Sequence, residues 1–167
     1  MPIDLIVLDV DGCLTDGRII YTENGDEIKA FDVKDGLAIA GWIGLGKEAA
    51  IITGRRSAIV SRRAEELGIR HCYQGVRDKG ARLSKILDEL GIGPDRVAVI
   101  GDDLNDYVML RDAAVSFAPS DAVPAIREIA DVLLRAGGGR GAVREMIEIL
   151  MEREGLQREF FGSWSVE

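Results

Sequence analysis

The chain has 167 residues, 47% of them hydrophobic and 30% charged, a composition that suits a globular domain with a real core. Its net charge of -8 argues against a general affinity for nucleic acid or anionic membranes. Cys13 and Cys72, the only cysteines, make neither a disulfide framework nor a zinc-ligand spacing, and Cys13 reads as a small packing residue.

The opening M-P-I-D lacks the basic and apolar regions of a signal peptide. No apolar run approaches the roughly 20 residues that span a bilayer, so the expected location is the cytoplasm. Ile3 to Leu8 is apolar apart from Asp4, as in a strand buried on both faces. That strand ends in L-D-V-D-G-C-L-T-D-G, residues 8 to 17, which crowds Asp9, Asp11 and Asp16 around Gly12 and Gly17. Residues 18 to 33 hold Asn24-Gly25 between two strand-like runs and read as a β-hairpin closed by a type I′ turn.

Further strands are expected at Ala49 to Ile52 and Val97 to Ile100, with weaker candidates at Arg70 to Tyr73, Ala114 to Phe117 and Asp131 to Leu134. Between them Ser57 opens a helix with Val60, Ala64 and Leu67 on its inner face, ended by Gly68. Lys79 starts another, carrying Leu83, Ile86, Leu87 and Leu90 and stopped by Gly91. Val143, Met146, Ile147 and Leu150 repeat the helical spacing near the C-terminus. Strands alternating with helices imply parallel βαβ units in a three-layer, Rossmann-like α/β domain, with the hairpin inserted after the first strand. The whole chain reads as one domain, with a tail from about residue 154.

Ligands of open α/β sheets bind beyond the carboxyl ends of the strands. Asp9 and Asp11 follow the first strand, Thr53-Gly54-Arg55 the second, and Gly101-Asp102-Asp103-Leu104-Asn105-Asp106 the V-A-V-I strand. Lys79 opens a helix on the same rim. Each alone suits a turn, a cap or a surface charge; together they suggest a single site. Clustered carboxylates are tolerable around a hard divalent cation, and Mg²⁺ takes one or two of them with water and substrate phosphate. Asp9 and Asp102 fit as ligands, and Lys79 and the Thr53 hydroxyl as partners of a phosphate, which suits phosphoryl transfer.

In this order, D-V-D-G-C-L-T-D-G, I-I-T-G-R, Lys79 and G-D-D-L-N-D resemble the four motifs of the haloacid dehalogenase superfamily, over roughly residues 3 to 150. F-D-V-K-D-G at 31 to 36, Y-Q-G at 73 to 75 and G-G-R-G-A-V-R-E at 138 to 145 resemble the branch acting on the 8-phosphate of 3-deoxy-D-manno-octulosonate. The resemblance implies Asp9 as nucleophile and Asp11 as acid and base, with the Asp11 carbonyl joining Asp9 and Asp102 on Mg²⁺. It implies Thr53 and Lys79 on the phosphoryl group, and Asp103 and Asp106 behind them. Substrate contacts are expected from Asp11, Asp32, Val33, Lys34, Asp35, Gly36, Thr53, Gly54, Arg55, Arg63, Lys79 and Arg140. Arg55 is the favoured reader of the substrate carboxylate. The branch lacks a large cap domain and forms homotetramers whose hairpins meet. Gly137 to Gly141 and the tail are expected near the closure of the site; alternatively, the tail aromatics pack on their own domain. The alternatives for activity are a nonulosonate 9-phosphate phosphatase, a phospho-acceptor signalling module and an idle binding subunit.

Overall fold

The structure, a computed structural model, describes residues 2–162 and 164. Six parallel strands form the central sheet in the order β5-β4-β1-β6-β7-β8. They are β1 (Leu5–Leu8), β4 (Glu48–Ile52), β5 (His71–Tyr73), β6 (Val97–Ile100), β7 (Val115–Ala118) and β8 (Val132–Leu133). Strand β1 lies in the middle, with Leu8 opposite Ile51 on one side and Ile100 on the other. All four of its residues are buried, the pattern that helices on both faces of a sheet require.

Alternate strand residues feed two apolar layers. Ile6, Leu8, Ile51 and Ile100 pack with Ile39 and Trp42 of α1 (Val33–Gly44), Val60 of α2 (Ala58–Glu66) and Val143 and Met146 of α6 (Ala142–Glu154). Leu5, Val7, Ile52 and Val99 pack with Leu83 and Ile86 of α3 (Lys79–Leu90), Met109 of α4 (Tyr107–Asp112) and Ile126 of α5 (Pro124–Ile129). The period-two geometry of a strand thus sorts one apolar run onto two helical layers. The three-layer α/β fold read from the sequence is the one observed.

The hairpin is smaller than residues 18 to 33 suggested. Its strands are β2 (Ile20–Tyr21) and β3 (Glu27–Ile28), antiparallel and separate from the main sheet. Its turn also differs. Thr22 N donates to Asp26 O and Gly25 N to Thr22 O, which leaves a three-residue loop with Gly25 at φ +87° rather than a two-residue type I′ turn. Val33, expected at the hairpin's end, instead begins α1, because Asp32 caps that helix by accepting from Lys34 N at 2.7 Å.

The tail turns back on its own domain. Helix α7 (Gln157–Gly162) packs against α6 and buries Phe160, whose ring meets Phe161 and Trp164 edge to face. Gly41 leaves room for them: a Cβ there would lie 2.3 Å from the Trp164 ring. The remaining tail positions, 163 and 165–167, lie outside the described residues.

Candidate active site

The site grows from the ends of β1, β4 and β6. Asp9, Asp11, Thr53, Gly54, Arg55, Asp102, Asp103 and Asn105 line one cavity of about 150 Å³. Beyond β1 the chain turns tightly through Val10–Leu14, with Gly12 at φ +104°. A Cβ on Gly12 would sit 2.0 Å from Asp102 Oδ2, so only glycine lets the β1 loop and Asp102 approach this closely. The glycine-rich segment braces that loop from behind. Gly139 N donates to Cys13 O at 2.9 Å, and a Cβ on Gly138 would overlap Gly12 O.

Lys79, the first residue of α3, reaches in from the opposite layer. Its ammonium donates to Asp9 Oδ1 at 2.6 Å and to Asp106 Oδ1 at 2.5 Å, and its side chain has no exposed surface. Burial opposes its charge, but Asp9 and Asp106 outweigh burial and hold its pKa above that of an ordinary lysine. Asp106 is fully buried, and its second oxygen accepts from the backbone N–H groups of Asp102 and Asp103, at 2.9 and 3.3 Å. Asp103 accepts from Leu104 N and so caps the short turn Leu104–Asp106.

Here three carboxylates, Asp9, Asp102 and Asp106, face one ammonium. Burial first, then the neighbouring Asp106 charge, pushes Asp9 well above the usual carboxylate range, against the pull of Lys79. The same causes, with Asp103 added, push Asp102 up to about 7. The surplus negative charge marks a place for a cation. Ligand atoms of Asp9, Asp102 and Cys13 lie within 4.8 Å of one another. Burial and the adjacent Asp9 charge raise the Cys13 thiol well above its normal pKa, which keeps it protonated. The donors left are hard carboxylate oxygens, which fit Mg²⁺.

Two hairpin residues not read from the sequence belong to this site. Lys29, with 1% of its side chain exposed, donates to Asp11 Oδ1 at 2.5 Å and lies 3.3 Å from Glu27 Oε1. Glu27 accepts in turn from Arg55 at 3.3 Å, and Arg55 also donates to the Tyr21 hydroxyl at 3.1 Å. Glu27 and Lys29 are two residues apart and so share one face of the hairpin, a period-two signal present in the sequence. Asn105, in the same cavity wall, lay within a quoted motif without a role.

Other expected substrate residues lie outside that cavity wall. Asp32 caps its own helix. Asp35, 1% exposed, accepts from Arg144 N at 2.8 Å and so caps α6, while its Oδ2 has no hydrogen-bond partner among the described residues. Burial, opposed by backbone N–H groups of α6, pushes its pKa up to about 6. Gly36 makes room for Arg63, whose Nη2 would lie 2.3 Å from a Cβ there. Arg63 lies over the Phe31 ring and 3.6 Å from Glu66. Val33, Lys34 and Arg140 are exposed.

Comparison with known proteins gives a consistent set of relatives. The haloacid dehalogenase-like hydrolase model matches residues 73–137. The 3-deoxy-D-manno-octulosonate 8-phosphate phosphatase KdsC of Escherichia coli (strain K12) is 44% identical over 160 residues, covering 96% of this chain and 85% of that protein. The Moraxella catarrhalis phosphatase of the same name, solved with a magnesium ion, a phosphate ion and a KDO molecule, superposes with a TM-score of 0.95. It is 41% identical, with 98% of this chain and 94% of that one covered. The cobalt-bound phosphatase from Haemophilus influenzae superposes at 0.88 with 35% identity, covering 92% and 90%.

Proposed function

The chain belongs to the 3-deoxy-D-manno-octulosonate 8-phosphate phosphatases, within the haloacid dehalogenase-like hydrolases, and we infer from this that it hydrolyses that sugar-acid phosphate with Mg²⁺ as its cofactor. One arrangement carries the inference: Lys79 bridges the buried Asp106 to Asp9, which lines a cavity with Asp11, Thr53 and Asp102. Phosphate release from the octulosonate 8-phosphate, measured beside a nonulosonate 9-phosphate, tests it. Faster turnover of the 9-phosphate would overturn the substrate assignment.

The same residues support a two-step mechanism. The Asp9 carboxylate attacks phosphorus, the bond to the sugar oxygen breaks, and Asp11 gives that oxygen its proton. Asp11 then takes a proton from water, whose oxygen attacks the aspartyl-phosphate and releases phosphate and Asp9. Lys79 and Thr53 hold the transferring group and offset its charge. Asp9, Asp102 and the Asp11 carbonyl would hold Mg²⁺, which when bound neutralises charge between nucleophile and phosphate. Asp103 and Asp106 fix the ligand loop and Lys79. Arg55, at the cavity rim, binds the substrate carboxylate in a two-pronged contact, displacing Glu27.

The working form is a homotetramer joined through the hairpins. Ile20, Tyr21, Ile28, Val33 and Leu37 are exposed, between 44% and 77%, on and beside a hairpin too small to be stable alone. In that assembly the exposed Val33, Lys34 and Arg140 are available to a neighbouring subunit's site, whereas Asp35 and Gly36 stay buried in their own subunit. The free thiols Cys13 and Cys72 suit the reducing cytoplasm.

A further inference from the structure

The loop after β5 carries a second cavity, of about 430 Å³, that shares no lining residue with the acidic one. Arg56, Arg77, Arg82 and Lys85 line it, with one carboxylate, Asp78. That carboxylate is already committed, since Asp78 Oδ1 accepts from Ala81 N at 2.9 Å and caps α3. Among the described residues, Arg56, Arg77 and Arg82 take no ion-pair partner. Lys85 only approaches the exposed Glu89, at 4.0 Å. Arg82 instead stacks over the Tyr73 ring, 4.7 Å from its centre. Gly75, at φ +68°, admits Arg56: a Cβ there would lie 2.4 Å from Arg56 Nε.

This is the acidic site in reverse. Cations gathered around a concave surface repel one another, in a chain whose net charge is -8. An anion removes that repulsion, and guanidinium groups bind phosphate oxygens in pairs. The cavity is large for one tetrahedral anion, and four cations along its wall match several linked charges. We propose that it is a second anion site, which takes a chain of phosphates such as pyrophosphate or the tail of a nucleoside triphosphate. The site is wired to the catalytic turn. Thr53 N donates to Tyr73 O, Gly75 N to Arg55 O and Val76 N to Thr53 O, all within 3.0 to 3.1 Å. An occupant that shifts the loop 74–78 therefore moves the turn that carries Thr53 and Arg55.

Calorimetric titration of the intact protein with pyrophosphate and with ATP, in buffer without divalent cations, tests the site. Without a cation the acidic cavity repels both probes, so heat reports the basic one. Binding of one equivalent is expected, weakened by roughly tenfold or more per guanidinium removed in Arg77→Ala/Arg82→Ala. Arg77→Glu, at an exposed side chain, should weaken it without lowering the melting temperature. Both variants should hydrolyse a small phosphate ester with Mg²⁺ at the parent rate. Equal affinity for the two probes would make the phosphate chain the whole ligand, and tighter ATP would add the nucleoside to it. Absence of heat with both probes, or equal binding by the parent and the folded variants, would overturn the proposal.

Discussion

The Lys29 ammonium lies 2.5 Å from Asp11 Oδ1 with 1% of its side chain exposed, although the hairpin that supplies it faces solvent. The insertion thus reaches the residue assigned to proton transfer. Lys29→Met should lower kcat at least tenfold and cost about 1.5–3 kcal/mol of stability, the range for losing a hydrogen bond to a charged group. Lys29→Arg should restore part of kcat. Unchanged kcat in the methionine variant, measured beside a urea melt, would leave Lys29 only an anchor of the hairpin.

Asp9→Asn keeps the volume of the side chain and removes the proposed nucleophile, so turnover should fall to background. Asp11→Asn should lose about 10²- to 10⁴-fold in rate, the usual contribution of general acid–base catalysis. Rapid-quench measurement of phosphate bound to the protein separates the two. The Asp11 variant should retain some phosphoenzyme with an activated substrate, and the Asp9 variant none.

Arg55 now rests against Glu27 and the Tyr21 hydroxyl, which raise its pKa and hold it at the rim. Arg55→Glu puts like charge against both Glu27 and an incoming carboxylate. The kcat/KM for the octulosonate 8-phosphate should fall roughly 10- to 150-fold, the equivalent of one charge-assisted hydrogen bond. A small neutral phosphate ester should lose much less. Equal losses would assign Arg55 to the phosphoryl group or the fold.

Asp35 makes stability depend on pH away from the cavity. Its folded pKa, about 6, lies above the ordinary 3.8, so the native state keeps a proton that the unfolded chain releases. Its contribution is therefore most favourable below pH 3.8, and it is lost as pH rises through about 6. The full shift corresponds to about 3 kcal/mol. Asp35→Asn keeps the cap on α6 without the charge. Urea midpoints from pH 4 to 7 should fall less steeply in this variant than in the parent.

Ile20→Asp/Ile28→Asp should break the proposed assembly by burying charge where the hairpins meet. Light scattering should give four chains for the parent and fewer for the variant. An active, monodisperse parent monomer would sink the tetramer.

The placement of Asp9, Asp11, Thr53, Lys79, Asp102 and Asp106 at one rim was legible because each follows or opens an element whose period is local. A buried strand announces its own end, and the carboxyl ends of parallel strands share one rim. Asp35 was harder to read. As the third residue of α1 it looks like a rim carboxylate, and only the packing of α1 on α6 shows that it caps a helix more than a hundred residues away. The hairpin posed the same difficulty. Asn24-Gly25 announces a turn, but the pair falls within a three-residue loop, and the strands are two residues long.

By itself, the sequence determined the alternation of strands and helices, the division of the core into two layers and the order of the strand-end motifs, since these follow from side-chain period and strand ends. Tertiary structure decided which distant groups touch. It put Lys29 on Asp11, Glu27 on Arg55, the Gly138 backbone against Gly12, and four cations around a cavity beside Gly75. The physical reason is range: period and capping act over a few residues, whereas charge pairing and close backbone approach depend on where whole elements dock.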